Sequence, residues 1–235
     1  MEHSELLYKL LKCDAKLCRS VLEASGFHHT DGHDWNVLWM NSSGKSYVYE
    51  GLNEFQKVNH FPSSYEMTRK DKLCQNFVKM QEQFGYKEFE KIPDTYCLPD
   101  EFSDFYVHYN ELKIEAPYKN IWIVKPAAMS RGRGIYITDD IHDIDQDESC
   151  IVSRYIHNPL LINSHKFDLR LYVLVTGFEP LRIYIYKEGL TRFASEPYSS
   201  GHKFDAFSHL TNYSINKKNA NFVHNQVSFW MDELL

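Results

Sequence analysis

Apolar residues recur at intervals of three or four through the first helical-looking stretch, Leu6, Leu10, Cys13, Leu17 and Val21, and Gly26 follows them. Residues 3–25 are therefore expected to form one amphipathic helix closed by a glycine. Trp35–Met40 and Tyr47–Tyr49 flank Asn41-Ser42-Ser43-Gly44 and predict a hairpin, which would make the first sixty residues a small α/β unit. A second helix is expected from Thr68, where Thr68 and Asp71 stand at capping-box spacing, with Leu73, Phe77, Met80 and Phe84 on its apolar face before Gly85. Pro93 and Pro99 then bracket a short strand at Thr95–Leu98.

From Ile121 the period shortens to two. Ile121–Pro126, Ile135–Thr138, Cys150–Ile156, Phe167–Gly177 and Leu181–Glu188 are rich in branched and aromatic residues, and turns bound them. They lie too close together for crossover helices, so antiparallel pairing is expected. The longest apolar runs, such as Leu169–Val175, fall far short of the roughly 20 residues of a membrane helix, and Met1-Glu-His-Ser-Glu5 does not read as a signal peptide.

A length of 235 residues with 43% hydrophobic and 25% charged side chains excludes fibrous and fully disordered classes and allows one large domain or two small ones. Five scattered cysteines, at 13, 18, 74, 97 and 150, form no C-x-x-C pair and are expected to be free thiols in a reducing, intracellular setting. The net charge of −6 argues against a non-specific nucleic-acid coat. Six carboxylates fall between Asp139 and Glu148, a run expected to be a solvated connector. His28, His29 and His33 lack a fourth zinc ligand nearby and are expected in a surface loop.

Candidate chemistry begins at Val124-Lys125-Pro126 and the small-residue loop Ser130-Arg131-Gly132-Arg133-Gly134-Ile135. A strand follows the loop where a Walker motif would have a helix, so the glycines belong at a hairpin tip. Backbone N–H groups there could approach phosphate oxygens, with Arg131 and Arg133 adding charge; a solvated Gly-Arg-Gly turn is the alternative. Lys166, Asp168 and Arg170 share one face of a strand, while Phe167, Leu169, Leu171, Val173 and Val175 share the other. A salt-bridge ladder or a charged ligand would explain the charged face. Arg192 stands among apolar neighbours in Leu190-Thr-Arg-Phe-Ala194 and invites a carboxylate.

These segments, with Ser153-Arg154-Tyr155-Ile156, His209-Leu-Thr-Asn-Tyr-Ser214, Asn59-His-Phe-Pro62 and Ser64–Asp71, occur in the order seen in the tubulin tyrosine ligase-like family. The chain resembles its polyglutamylase branch from about Leu17 to Phe222. The resemblance implies an ATP-grasp-like α+β (α/β) fold with antiparallel sheets: an N-terminal α/β unit at 1–60, a central lobe at 61–152 with the glycine-rich loop, and an incomplete C-terminal lobe at 153–235.

It also implies roles. Lys125 would contact phosphates, residues 131–135 would form the loop above them, and Ser153, Arg154, Tyr155 and Ile156 the hinge beside adenine. Lys166, Phe167, Asp168, Thr211 and Asn212 would complete the nucleotide site. Arg192, Tyr213 and Ser214 would hold free L-glutamate, and Arg131 would face the acceptor glutamate; Arg131, Lys166 and Arg192 are the catalytic candidates. The implied reaction is ATP-dependent amide formation through an acyl phosphate on glutamates of tubulin tails, in the cytoplasm on the cytoskeleton, including the cilium or basal body, with no nucleic-acid or membrane partner. ATP and Mg²⁺ are the implied cofactors. The family's Glu-x-Asn metal motif is absent from the 235 residues, so no metal ligand is assigned, and a fragment without ligase activity, binding only tubulin or nucleotide, is the alternative expectation.

Overall fold

A computed structural model describes residues 5–127, 129, 132–201, 204–222 and 228–230. The chain divides into two compact units, Met1–Asn76 and Phe77–Leu235. The expected boundary at residue 60 falls earlier than this division.

The first unit contains β1 (Leu6–Leu11), α1 (Lys16–Ala24), β2 (Phe27–His29), β3 (Val37–Met40), β4 (Lys57–Val58) and α2 (Tyr65–Thr68). Its sheet has the order β2-β1-β3-β4, and every pairing in it is parallel. Two expectations are corrected here. Residues 3–25 are not one helix: Leu6–Leu11 form the strand hydrogen-bonded to β2 and β3 on either side, and Lys12, with a φ of 55°, interrupts the chain before α1 starts. A six-residue Leu-rich run fits either period, and two neighbouring strands decide it by satisfying the backbone on both edges. Tyr8, fully buried, donates through its hydroxyl to Glu23 Oε1 at 2.8 Å and ties the strand to α1. The 35–49 hairpin does not form either. Ser46–Val48 is a 3₁₀ turn, and β3 takes β1 and β4 as parallel neighbours. Asn59 completes this edge, its side chain accepting from Met40 N at 2.8 Å and donating to Met40 O at 2.9 Å. Gly26, at a φ of 84°, ends α1 as expected.

α3 (Lys70–Phe84) follows α2, and the capping box between Thr68 and Asp71 is absent. Thr68 Oγ1 donates back to Ser64 O at 3.1 Å within α2, and Asp71 pairs with Arg69 at 2.6 Å. Of the expected apolar face, Phe77 and Met80 are half-buried and Leu73 and Phe84 exposed, and Cys74 is the fully buried residue of this helix among those described.

The second unit continues with α4 (Tyr86–Phe89), β5 (Thr95–Leu98), α5 (Phe102–Glu115), β6 (Trp122–Pro126), β7 (Tyr136–Thr138) and β8 (Cys150–Arg154). Then come β9 (Leu161–Ile162), β10 (His165–Phe178), β11 (Leu181–Phe193), α6 (Ala206–His209), α7 (Tyr213–Asn216) and β12 (Ser228–Trp230). Two four-stranded sheets result, β5-β8-β6-β7 and β12-β11-β10-β9, and the pairings in both are antiparallel, as expected. The first sheet packs on α5, which the sequence pattern did not single out. Trp122, fully buried, meets Phe105 edge-on at 4.9 Å between ring centroids, and Leu98, Tyr109, Val124 and Val152 close around them. A buried Asn120 accepts from Trp122 Nε1 at 2.7 Å, so the indole is satisfied inside the core.

From Leu169 onward β10, and the part of β11 opposite it, are largely uncovered. Leu171, Tyr172, Val173, Leu174, Ile183, Tyr184, Ile185 and Tyr186 are all exposed, on both faces of the two-stranded arm. The expected apolar face of β10 is therefore apolar but not buried, and register shifts at Leu171/Val173 and Val175/Gly177 break its alternation. The acidic run 139–148 is mostly exposed; Ile144 is its buried anchor, and Asp140 caps a 3₁₀ turn by accepting from His142 N at 2.9 Å. None of the five cysteines is in a disulfide. His28 and His29 are exposed on β2, and His33 is exposed in the turn that follows. No described helix is long and apolar enough to cross a membrane.

Candidate functional site

Antiparallel pairing of β6 with both β7 and β8 places Lys125 beside the start of β8, opposite Ile151 in the register, and Ile123 opposite Ser153 near its end. The chain after β8 and the start of β10 then bring Tyr155 and Lys166 to the same place. A cavity of roughly 190 Å³ results, lined by Pro93, Ile123, Lys125, Ser153, Arg154, Tyr155, Ile156 and Lys166. Six of these eight were expected at a nucleotide site. Ligand cavities that enclose a whole drug-sized molecule run to about 300–1,000 Å³, so this one has room for one end of such a ligand.

Polar contacts define its walls. Arg154 pairs with Asp94 at 3.2 Å, and Ser153 Oγ accepts from Thr95 Oγ1 at 3.1 Å, so β5 supports the hinge segment. Tyr155 turns its side chain inward and is buried, whereas Ile156 is exposed. Lys166 donates to the Tyr155 hydroxyl at 2.9 Å, and its ammonium sits 4.4 Å from the centroid of the same ring. Burial pushes the Lys166 pKa down to about 8, with Lys125 pushing the same way and Asp168 opposing. Two cationic side chains in one cavity wall suit a polyanion.

Arg192 does have the carboxylate its position invited. Asp168 and Arg192 are directly opposite in the β10–β11 register, and the guanidinium donates to both carboxylate oxygens, at 2.8 and 2.9 Å. Thr211 Oγ1 also donates to Asp168. The charged face is thus tied across strands and not along one, and Arg170, on the same strand, is exposed. Phe167 packs on Phe193 with ring centroids 5.9 Å apart.

The segment after β11 is held by a buried asparagine that sequence reasoning did not single out. Asn216 Oδ1 accepts from Ser195 N and Ser195 Oγ at 2.8 and 2.7 Å, and its amide donates to Leu210 O and Asn212 O at 2.7 and 3.0 Å. Thr211 and Asn212 are thereby fixed next to the Asp168–Arg192 pair. Tyr213 is exposed and stacks edge-on with Phe222 at 5.8 Å, and Ser214 is half-buried.

Ser130 and Arg131 lie outside the described residues. The glycines beside them are placed: Gly132 and Gly134 have φ of 73° and 67°, a region that disfavours a side chain. A Cβ on Gly132 would come within 2.6 Å of Ile215 Cδ1 and 3.2 Å of Asn212 Cγ, and one on Gly134 within 2.8 Å of Pro126 Cγ. Gly132 therefore packs closely against the start of α7, and Gly134 against Pro126 at the end of β6. Arg133 is exposed and Ile135 half-buried.

The cationic pair and the glycine tip fit a nucleotide's phosphates. The described residues do not fit Mg²⁺ in the same way: no group of three or more His, Cys, Asp or Glu side chains among them could hold a metal ion, and Asp168 is engaged by Arg192 and Thr211.

Residues 50–231 match the sequence profile of the tubulin-tyrosine ligase family. Over 226 residues the chain is 49% identical to tubulin polyglutamylase TTLL5 of Mus musculus, an alignment covering 94% of this chain and 17% of that protein. It is 38% identical over 223 residues to the probable tubulin polyglutamylase TTLL2 of Homo sapiens, covering 92% of this chain and 38% of the relative. Tubulin polyglutamylase ttll-5 of Caenorhabditis elegans is 38% identical over 237 residues, covering 96% and 32%. The chain thus spans less than half the length of each of these relatives. With the profile match extending from the first unit through the glycine tip, the lysine pair and the Asp168–Arg192 bridge, the chain belongs to the tubulin-tyrosine ligase family.

Proposed function

We propose that this chain carries the nucleotide and amino-acid sites of an ATP-dependent tubulin–glutamate ligase, one that adds L-glutamate through an amide bond to glutamate side chains of tubulin tails. The observation that carries the reading is the pair Lys125 and Lys166 in the wall of one cavity. ATP, when bound, would supply the phosphoryl group that activates the acceptor carboxylate.

The chain's own residues have these parts in the proposal. Lys125 and Lys166 neutralise phosphate charge, and the backbone of Gly132 to Ile135, with Arg131 and Arg133, closes over it. Arg154, Tyr155 and Ile156 border the base, with Ser153 behind them, while Phe167, Asp168, Thr211 and Asn212 hold the strand end that faces the nucleotide. Arg192 spends its Nε and one Nη on Asp168 and turns its other Nη edge to a carboxylate of free glutamate, beside Tyr213 and Ser214. Arg131 faces the acceptor glutamate. The same reading divides the second unit into lobes at 152/153 and puts the activity on the cytoplasmic cytoskeleton, including the cilium or basal body.

Calorimetric titration of the chain with ATP tests the reading, with radiolabelled glutamate incorporation into microtubules measured beside it. Lys125→Ala should weaken ATP binding at least about tenfold, the order of one lost contact to a charged group. An affinity unchanged by that substitution would overturn the phosphate role of the cavity.

A further inference from the structure

Behind Lys166 lies a polar pair inside the protein. The Tyr155 hydroxyl, which accepts from Lys166, is also 2.9 Å from His209 Nδ1, and both Tyr155 and His209 are almost wholly buried. Tyr198 and Phe204 hem the imidazole at 4.9 and 5.6 Å between centroids, and His209 Nε2 has no hydrogen-bond partner among the described residues. A buried ring nitrogen without a partner costs stability, and an apolar ring in this aromatic nest would avoid that cost. His209 is hydrogen-bonded to the site through Tyr155, so what distinguishes histidine from a plain packing residue here is its hold on that phenol.

A free lysine side chain has considerable rotamer entropy, which must be lost before its ammonium can meet a ligand in one place. The phenol oxygen and the ring face of Tyr155 limit that freedom, provided the phenol itself is held. We propose that His209 is a positioning residue: it fixes the Tyr155 phenol, and through it holds the Lys166 ammonium in the cavity wall, aimed at the phosphates of a nucleoside triphosphate. The ligand class rests on the nucleotide reading above; the linkage of His209 to Lys166 does not. Asp168 and Lys125 also act on this ammonium, Asp205 on the imidazole and Tyr198 on the Tyr155 phenol, and none of the four is altered by the substitutions used to test the linkage.

Tyr155→Phe keeps the ring and removes the hydroxyl; His209→Leu removes the link; His209→Asn retains a polar atom near the place of Nδ1. Two readouts are taken on the full chain: ATP affinity by calorimetry, and, without nucleotide, the titration of Lys166 followed by NMR of ¹³C-methylated lysines and assigned with Lys166→Arg. Tyr155→Phe and His209→Leu should each weaken ATP binding about tenfold, and the double variant should be no weaker than Tyr155→Phe alone, as residues acting through one another are non-additive. Tyr155→Phe should move the Lys166 titration to lower pH, since it removes an acceptor for the charged form, and the double variant should move it no further. His209→Asn should keep both properties near those of the unaltered chain. Multiplicative losses in the double variant, a Lys166 titration indifferent to Tyr155→Phe, or a His209→Asn chain as impaired as Tyr155→Phe would each overturn the proposal. If His209→Leu does not fold, Tyr155→Phe and His209→Asn decide the matter. If the unaltered chain binds no ATP, the nucleotide reading falls, and the Lys166 titration alone judges the positioning role.

Discussion

Lys166 shows how one side chain combines burial, charge and a specific partner. Its ordinary pKa is far above neutrality, and burial beside Lys125 brings it down to about 8. The ammonium is still the major form at pH 7, but the margin is small. An anionic ligand that needs the charged form should therefore bind less tightly as pH rises through about 8, in a region where an exposed lysine would be unaffected. Stability runs the other way. The unfolded chain binds more protons than the folded one between pH 8 and the ordinary lysine value, so the cost of burying the charge is present below about 8 and is relieved as pH rises above it. Measuring ATP affinity at pH 7 and pH 9 checks the first part: a several-fold loss is expected in the unaltered chain, and a flat profile would show that Lys166 does not titrate in the site. The candidate status of Lys125, Lys166 and Arg192 was legible from residue type and motif. Asn216 and His209 were not distinguished, because an asparagine or histidine in sequence carries no sign of whether its hydrogen-bonding groups will be buried.

Among the elements, β10 and β11 were the most legible and also hold the largest departure from expectation. Their branched and aromatic residues dictate strands, and the Glu179-Pro180 turn joins them, but neighbours on the faces of the arm are not encoded locally. The arm consequently presents Val173 opposite Ile185 and Leu174 opposite Tyr184 with all four side chains exposed. Contiguous exposed apolar surface on a strand pair promotes association. Ile185→Lys, on a side chain 67% exposed, should raise the solubility limit of the chain several-fold while leaving its melting temperature within about 2 °C, since substitutions at exposed positions usually change stability by less than about 0.5 kcal/mol. Precipitation curves and thermal melts on the same preparations check both halves, and a large drop in melting temperature would mean that Ile185 is packed.

For the molecule as a whole, the second unit is organised around Trp122, whose ring meets Phe105, Tyr96 and His108 and whose indole N–H is satisfied by Asn120. The same strand carries Lys125 to the cavity, so core and site share one element. Trp122→Ala should cost about 3–5 kcal/mol, the range for deleting a large buried ring, and would remove cavity and core together. Denaturant titration followed by tyrosine fluorescence would show it, and a loss below about 1 kcal/mol would mean that the cluster closes over the gap. The first unit has its own smaller apolar cluster, Trp35, Leu38 and Met40, within a parallel sheet.

The sequence by itself determined β6, β7, β8, β10 and β11 as far as Glu188, their antiparallel sense, the hairpin position of the glycines and the family, because period-two patterning, short connections and ordered motifs are local properties. Only the tertiary structure decided that Leu6–Leu11 is a strand, that β3 has parallel neighbours and no hairpin partner, and that Thr68 does not cap α3. Each of those depends on which backbone or side-chain group a distant segment supplies. The same reason separates Arg192, whose need for a carboxylate is written in its neighbours, from the identity of that carboxylate, Asp168, which cross-strand register alone could select.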